Sequence, residues 1–209
     1  MHDTRYRFVL FVFLSVTCVS SLRAEEIETD GLPFDRERIN RYSLDHLPRS
    51  ISIRQGDDVW LGYDLPRATL YKVWRAPAGE AGLKQTGFVM RSVGNTLYED
   101  RSDEPWKLRR SGETVPLAIR YLGCSQRRGY FELRWELSHD ADIVTLRERV
   151  PKTAGNENAV TREVQVDALP PKAQLLFPLP AQRQWNLMTA DGRPASSLGD
   201  SQWYRLTPR

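Results

Sequence analysis

Cysteine and histidine are both scarce in this chain of 209 residues, which holds two of the first and three of the second. Cys18 lies in the N-terminal leader, so Cys124 is the one cysteine left downstream. An intramolecular disulfide is thereby excluded in the processed chain. So is a c-type haem attachment, which needs two closely spaced cysteines and a histidine. Cys124 reads as a small buried hydrophobe, with an intermolecular bridge or a reactive thiol as the other readings. His139-Asp140-Ala141-Asp142 offers one imidazole and two carboxylates. That falls short of a closed metal shell, and turn chemistry accounts for both aspartates. The Gly-x-Ser-x-Gly nucleophile motif and phosphate-cradling glycine loops are also missing. No cofactor or metal is expected.

Long apolar runs are missing too, except at the start. Arg5 and Arg7 precede the apolar stretch Phe8 to Val19, and Leu22-Arg23-Ala24 supplies a small-residue exit before Glu25. These are the three parts of a secretory signal. The stretch is about 12 residues long, whereas a membrane span needs about 20. An uncleaved anchor and a lipid-modified Cys18 are alternatives, the second against a poor lipobox in Ser15-Val16-Thr17. The expectation is a signal peptide over 1–24, cleavage near Ala24, and a periplasmic or secreted product without a transmembrane span. Three arginines and one aspartate leave with the leader, so the formal charge drops from +3 to about +1. That balance gives no electrostatic case for nucleic acid.

What is present is alternation. Phe131, Leu133, Trp135 and Leu137 fall on one side of a strand, and Glu132, Arg134 and Glu136 on the other. Leu117, Ile119 and Tyr121 show the same period, and Ser125 to Gly129 joins the two segments as a hairpin turn. Val59 to Tyr63, Leu70 to Trp74, Val144 to Val150, Val160 to Val166, Trp185 to Met188 and Trp203 to Leu206 add further strands. One wet and one buried face is the mark of antiparallel sheet. The fold class expected is all-β, a two-layer antiparallel β-sandwich over residues 50–209. A lead-in at 25–49 precedes it, helical or irregular. Phe34, Ile39, Tyr42 and Leu47 are spaced for a short helix between Pro33 and Pro48. The proline-rich stretch 168–180 reads as a crossover between sheet edges.

Two blocks carry a family resemblance. One is Asp58-Val59-Trp60-Leu61-Gly62-Tyr63-Asp64 followed by Leu70-Tyr71-Lys72-Val73-Trp74-Arg75. The other is Trp106-Lys107-Leu108, then Ile119 to Gly123, then Tyr130 to Leu137. Their order and spacing resemble a β domain of exported bacterial proteins that also carry c-type cytochrome and PQQ-type sugar-dehydrogenase β-propeller modules. Ala76 stands where that family usually has glycine, and Gly123 matches its glycine after tyrosine. The resemblance covers roughly residues 48 to 150 and implies no catalysis for the domain itself. It implies a periplasmic redox protein as partner.

Trp60, Tyr63, Asp64, Tyr71, Lys72 and Trp74 form the most distinctive set. Aromatic faces beside a carboxylate and an amine suit sugar rings, which stack through CH groups while polar tips hold hydroxyls. The other reading makes the aromatics sandwich core, with Asp64 and Lys72 paired at its rim. Arg109-Arg110 and Arg127-Arg128 read as solvated hairpin tips, or as contacts for an acidic partner. The function expected is a non-catalytic exported binding or accessory module, serving a periplasmic oxidoreductase or binding carbohydrate. The alternative is a glycan-active hydrolase or lyase using paired carboxylates, with Asp57, Asp58, Asp64, Glu132 and Glu136 as candidates.

Overall fold

The computed structural model describes residues 28–29, 35–153, 160–178 and 185–208, so the leader 1–24 lies outside the described residues. In chain order the strands are β1 Glu28–Thr29, β2 Ile39–Asn40, β3 Ser50–Arg54, β4 Val59–Asp64, β5 Thr69–Arg75 and β6 Leu83–Thr86. Then come β7 Val89–Ser92, β8 Asn95–Glu99, β9 Lys107–Arg110, β10 Glu113–Pro116, β11 Ala118–Gln126 and β12 Tyr130–His139. The last are β13 Asp142–Pro151, β14 Arg162–Asp167, β15 Gln174–Leu176, β16 Trp185–Thr189 and β17 Trp203–Pro208.

The alternation seen in β12 sets the architecture. Phe131, Leu133, Trp135 and Leu137 are all buried, and the intervening residues face the other way. β12 pairs with β11 on one side and β13 on the other, in the large sheet β1-β11-β12-β13-β14-β17-β16. All its pairings are antiparallel except the short parallel contact of β1 with β11. The second sheet, β2-β3-β4-β5-β8, packs Ile51, Ile53, Leu61, Tyr63 and Val73 into the same core as the large sheet's apolar side. Burial of these apolar side chains is the main source of stability. Two indoles in the core satisfy their N–H groups on backbone. Trp135 donates to the Leu65 carbonyl at 3.0 Å and Trp106 to the Ala68 carbonyl at 3.1 Å.

A three-stranded sheet β10-β9-β15 and the hairpin β6-β7 complete the fold. The stretch after β14 leaves the large sheet, adds β15 to β9, and the chain re-enters the large sheet at β16. The lead-in is irregular. Among its described residues there is β2, a turn at Arg36–Arg38 and a bridge between Leu44 and Leu47, with no helix. Asn40 pairs with Ser52 and draws the segment into the second sheet, so its apolar residues serve sheet packing rather than a helix face.

Candidate functional site

The aromatic rings of β4 and β5, read either as a ligand surface or as core, are packed under other parts of the chain. Trp60, Tyr71, Lys72 and Trp74 share the face of the second sheet that points away from the main core. The chain packs on that face as well. Leu44 and Leu47 of the lead-in and Leu83 of β6 close over Trp60, Tyr71, Trp74 and Ala76 in a separate small core. The two indoles stack at 6.0 Å with 10° between their planes. Trp74 Nε1 donates to the Gly82 carbonyl at 2.7 Å.

Gly82 permits that contact twice over. Its φ is +74°, and a Cβ there would lie 2.4 Å from Trp60 Nε1. Gly62 is similarly required, since its Cβ would meet Leu44 Cδ2 at 2.4 Å. Tyr71 donates to Glu99 at 3.0 Å and meets His46 edge-on. Lys72 donates to Ser92 Oγ at 2.7 Å and pairs with Asp45 at 3.5 Å.

Tyr63 points the opposite way, into the main core. Its hydroxyl donates to Glu148 Oε1, and Glu148 receives a fork of two hydrogen bonds from Arg162 at 2.6 and 2.8 Å. All three side chains are buried, so the network ties the second sheet to the large one. The sequence carried a signal for it. Glu148 occupies an apolar-parity position between Leu146 and Val150, and Arg162 does so ahead of Val164 and Val166. A charge on the dry face of a strand needs a buried partner. Asp64 sits at the end of β4, 3.8 Å from Arg67, and burial holds its carboxyl above the usual range while Arg67 pulls it back.

A partly exposed aromatic cluster lies elsewhere, on the outer face of the large sheet. Strand register sets two rows across it. One runs Glu132, Arg149, Glu163, Arg205, and the next Arg134, Arg147, Gln165, Trp203. The Arg149 guanidinium is clamped between two rings, 4.4 Å from the centre of Tyr130 and 3.9 Å from that of Trp203. Its Nε donates to Glu132 at 2.8 Å. Arg147 pairs with Asp167 and lies 5.9 Å from the Trp203 ring. Arg205 lies 3.9 Å from Glu163, and Arg120 grips Glu136 through two hydrogen bonds. That grip holds the Glu136 carboxyl below and the Arg120 guanidinium above their usual ranges. Among the described residues, two polar atoms of the second row, Gln165 Oε1 and Arg147 Nε, are buried with no hydrogen-bond partner. The sequence signal was parity again. Tyr204 and Leu206 are buried, so Trp203 is a large aromatic at a wet position.

Of the carboxylates considered for glycan cleavage, Asp58, Asp64, Glu132 and Glu136 each face an arginine, while Asp57 is exposed. A groove of about 400 Å³ runs beside the three-stranded sheet, lined by Glu104, Lys107, Arg109, Thr114, Phe177 and Ser196. Its cations are already engaged, Lys107 with Glu104 at 3.3 Å and Arg109 with Gln174 at 3.1 Å. Among the described residues no three metal-ligating side chains converge, and Cys124 is buried in the main core. Compared with known protein families, curated proteins and solved structures, the chain matches none.

Proposed function

We propose that this chain is a non-catalytic exported binding module that holds a carbohydrate on the outer face of its large sheet. The observation that carries the reading is the partly exposed Tyr130–Arg149–Trp203 stack, set on the outer face of the large sheet among planar polar side chains. Partly exposed rings give a sugar its stacking partner. Fixed guanidinium, carboxylate and amide groups match pairs of hydroxyls. The arginines of this face stand beside carboxylates, which favours a neutral or weakly charged glycan over a polyanion. On this face Arg120 holds the Glu136 carboxyl below its usual range, which disfavours it as the proton donor that glycoside cleavage requires. An accessory role beside a periplasmic oxidoreductase rests on the family resemblance alone.

The protein supplies its own probe. Of its six tryptophans, Trp60, Trp74, Trp106, Trp135 and Trp185 are buried, which leaves Trp203 as the partly exposed one. Titration with a panel of soluble glycans is expected to shift tryptophan emission for at least one of them. Trp203→Ala is expected to weaken that glycan about tenfold, the loss of about one stacking contact, with the fold retained and only a small drop in melting temperature from the lost Arg149 contact. A panel that leaves emission and calorimetric heat flat removes this reading.

A further inference from the structure

The hairpin β6-β7 projects an aromatic ring into solvent from a rigid base. Thr86 and Val89 close it around a two-residue turn, Gly87-Phe88. Phe88 is 96% exposed, the most exposed large apolar residue described. Tyr42, 63% exposed, precedes Ser43, whose hydroxyl donates to the Phe88 carbonyl at 3.3 Å, so both aromatic residues stand at this end of the molecule. A ring this exposed loses free energy to water with no packing in return. The base, in contrast, is well fixed. Met90 exchanges backbone hydrogen bonds with Ser43 and Asp45, both at 2.8 Å, and Asp45 also holds Ser92. Behind it, Gly82 is fastened to Trp74 over the stacked tryptophans. The small core of Trp60 and Trp74 therefore acts as a foundation for the arm.

Charge on the arm has one sign. Lys84 and Arg91 stand directly opposite each other, and no acidic residue occurs from Leu83 to Ser92. Like charges across a strand pair are destabilising, so the arm carries a local penalty that an anionic surface would relieve. We propose that this hairpin is a membrane-surface anchor. Phe88 and Tyr42 enter the boundary between headgroups and acyl chains of an anionic bilayer, and Lys84 and Arg91 meet the lipid phosphates. A narrow protruding tip with cations behind one ring suits a deformable lipid surface. A protein partner would instead favour a broad patch in which the aromatic is ringed by near-neutral contacts.

The test is co-sedimentation of the processed chain with vesicles of phosphatidylglycerol and, separately, of phosphatidylcholine. Binding is expected to the first at low salt, to weaken as salt rises, and to be absent with the second. Phe88→Ser is expected to lower the affinity at least about tenfold. Lys84→Gln with Arg91→Gln is expected to lower it about thirtyfold. Phe88 and Lys84 are exposed, so Phe88→Ser should melt as the parent does. The double variant also loses the hydrogen bond from Arg91 to the Asp45 carbonyl, and is expected to melt slightly lower yet still fold. Trp203→Ala should bind vesicles normally, which separates this arm from the glycan face. Absence of binding to phosphatidylglycerol, or binding that survives Phe88→Ser undiminished, overturns the proposal. In the first of those cases a protein would be the candidate to cover Phe88.

Discussion

At the scale of single residues, the buried triad of Tyr63, Glu148 and Arg162 carries the highest stakes. Burial lifts the Tyr63 phenol well above its ordinary range, and the Glu148 carboxylate beside it adds to that. Arg162, although buried, is held charged by the same carboxylate and lies 5.0 Å from the Trp185 ring. Removing one partner of a buried pair leaves the other charge without compensation. Glu148→Ala is therefore expected to destabilise the protein by about 3–5 kcal/mol in denaturant melts. Tyr63→Phe removes only a hydrogen bond to a charged group and is expected to lose about 1.5–3 kcal/mol. A Glu148→Ala variant as stable as the parent would show that the pair contributes no net tie between the sheets.

At the scale of elements, β4 and β5 differ from β12. β12 alternates because one of its faces is wet, whereas every residue of β4 is buried. Its sequence, Val-Trp-Leu-Gly-Tyr-Asp, is nearly continuous in apolar character, the pattern of a strand covered on both sides. That signal accounts for the placement of Trp60 and Trp74 beneath the lead-in and the hairpin rather than on an open face. Gly82 is the joint of this second layer. Gly82→Ala forces an L residue to positive φ and drives its Cβ into the Trp60 ring. It is expected to cost about 2–3 kcal/mol and to expose Trp60 and Trp74, read as a red shift of tryptophan emission. An unshifted spectrum at parental stability would mean that the hairpin does not depend on this contact.

At the scale of the whole molecule, stability is expected to fall at alkaline pH. Burial, reinforced by nearby carboxylates, raises the phenols of Tyr63, Tyr71 and Tyr98, and Tyr98 is pushed up to about 12. A group with a raised folded-state pKa keeps its proton when folded and loses it near pH 10 when unfolded. Its full contribution is thus present below about pH 10 and lost as pH rises toward about 12. Tyr98 alone accounts for roughly 2–3 kcal/mol of that loss. Phenolate absorbance of these three tyrosines should appear together with unfolding rather than ahead of it. Titration of all the tyrosines near pH 10 with the fold intact would contradict this.

The sequence by itself determined that the chain is all-β and where its wet and dry faces fall. Period two is a local property, and one wet face of an antiparallel sheet makes it visible in Phe131 to Leu137 and in Tyr204 and Leu206. Pairings between distant strands, and what covers each face, were decided only by the tertiary structure. Parity can show that Trp60 and Trp74 leave the main core, but not that Leu44 and Leu83 lie over them. Nor can it bring Tyr130, Arg149 and Trp203 together, because their contact depends on strand order across the large sheet. Burial on a second face is a long-range event, and the residues that cause it sit in a lead-in and a hairpin whose own sequences carry little periodic signal.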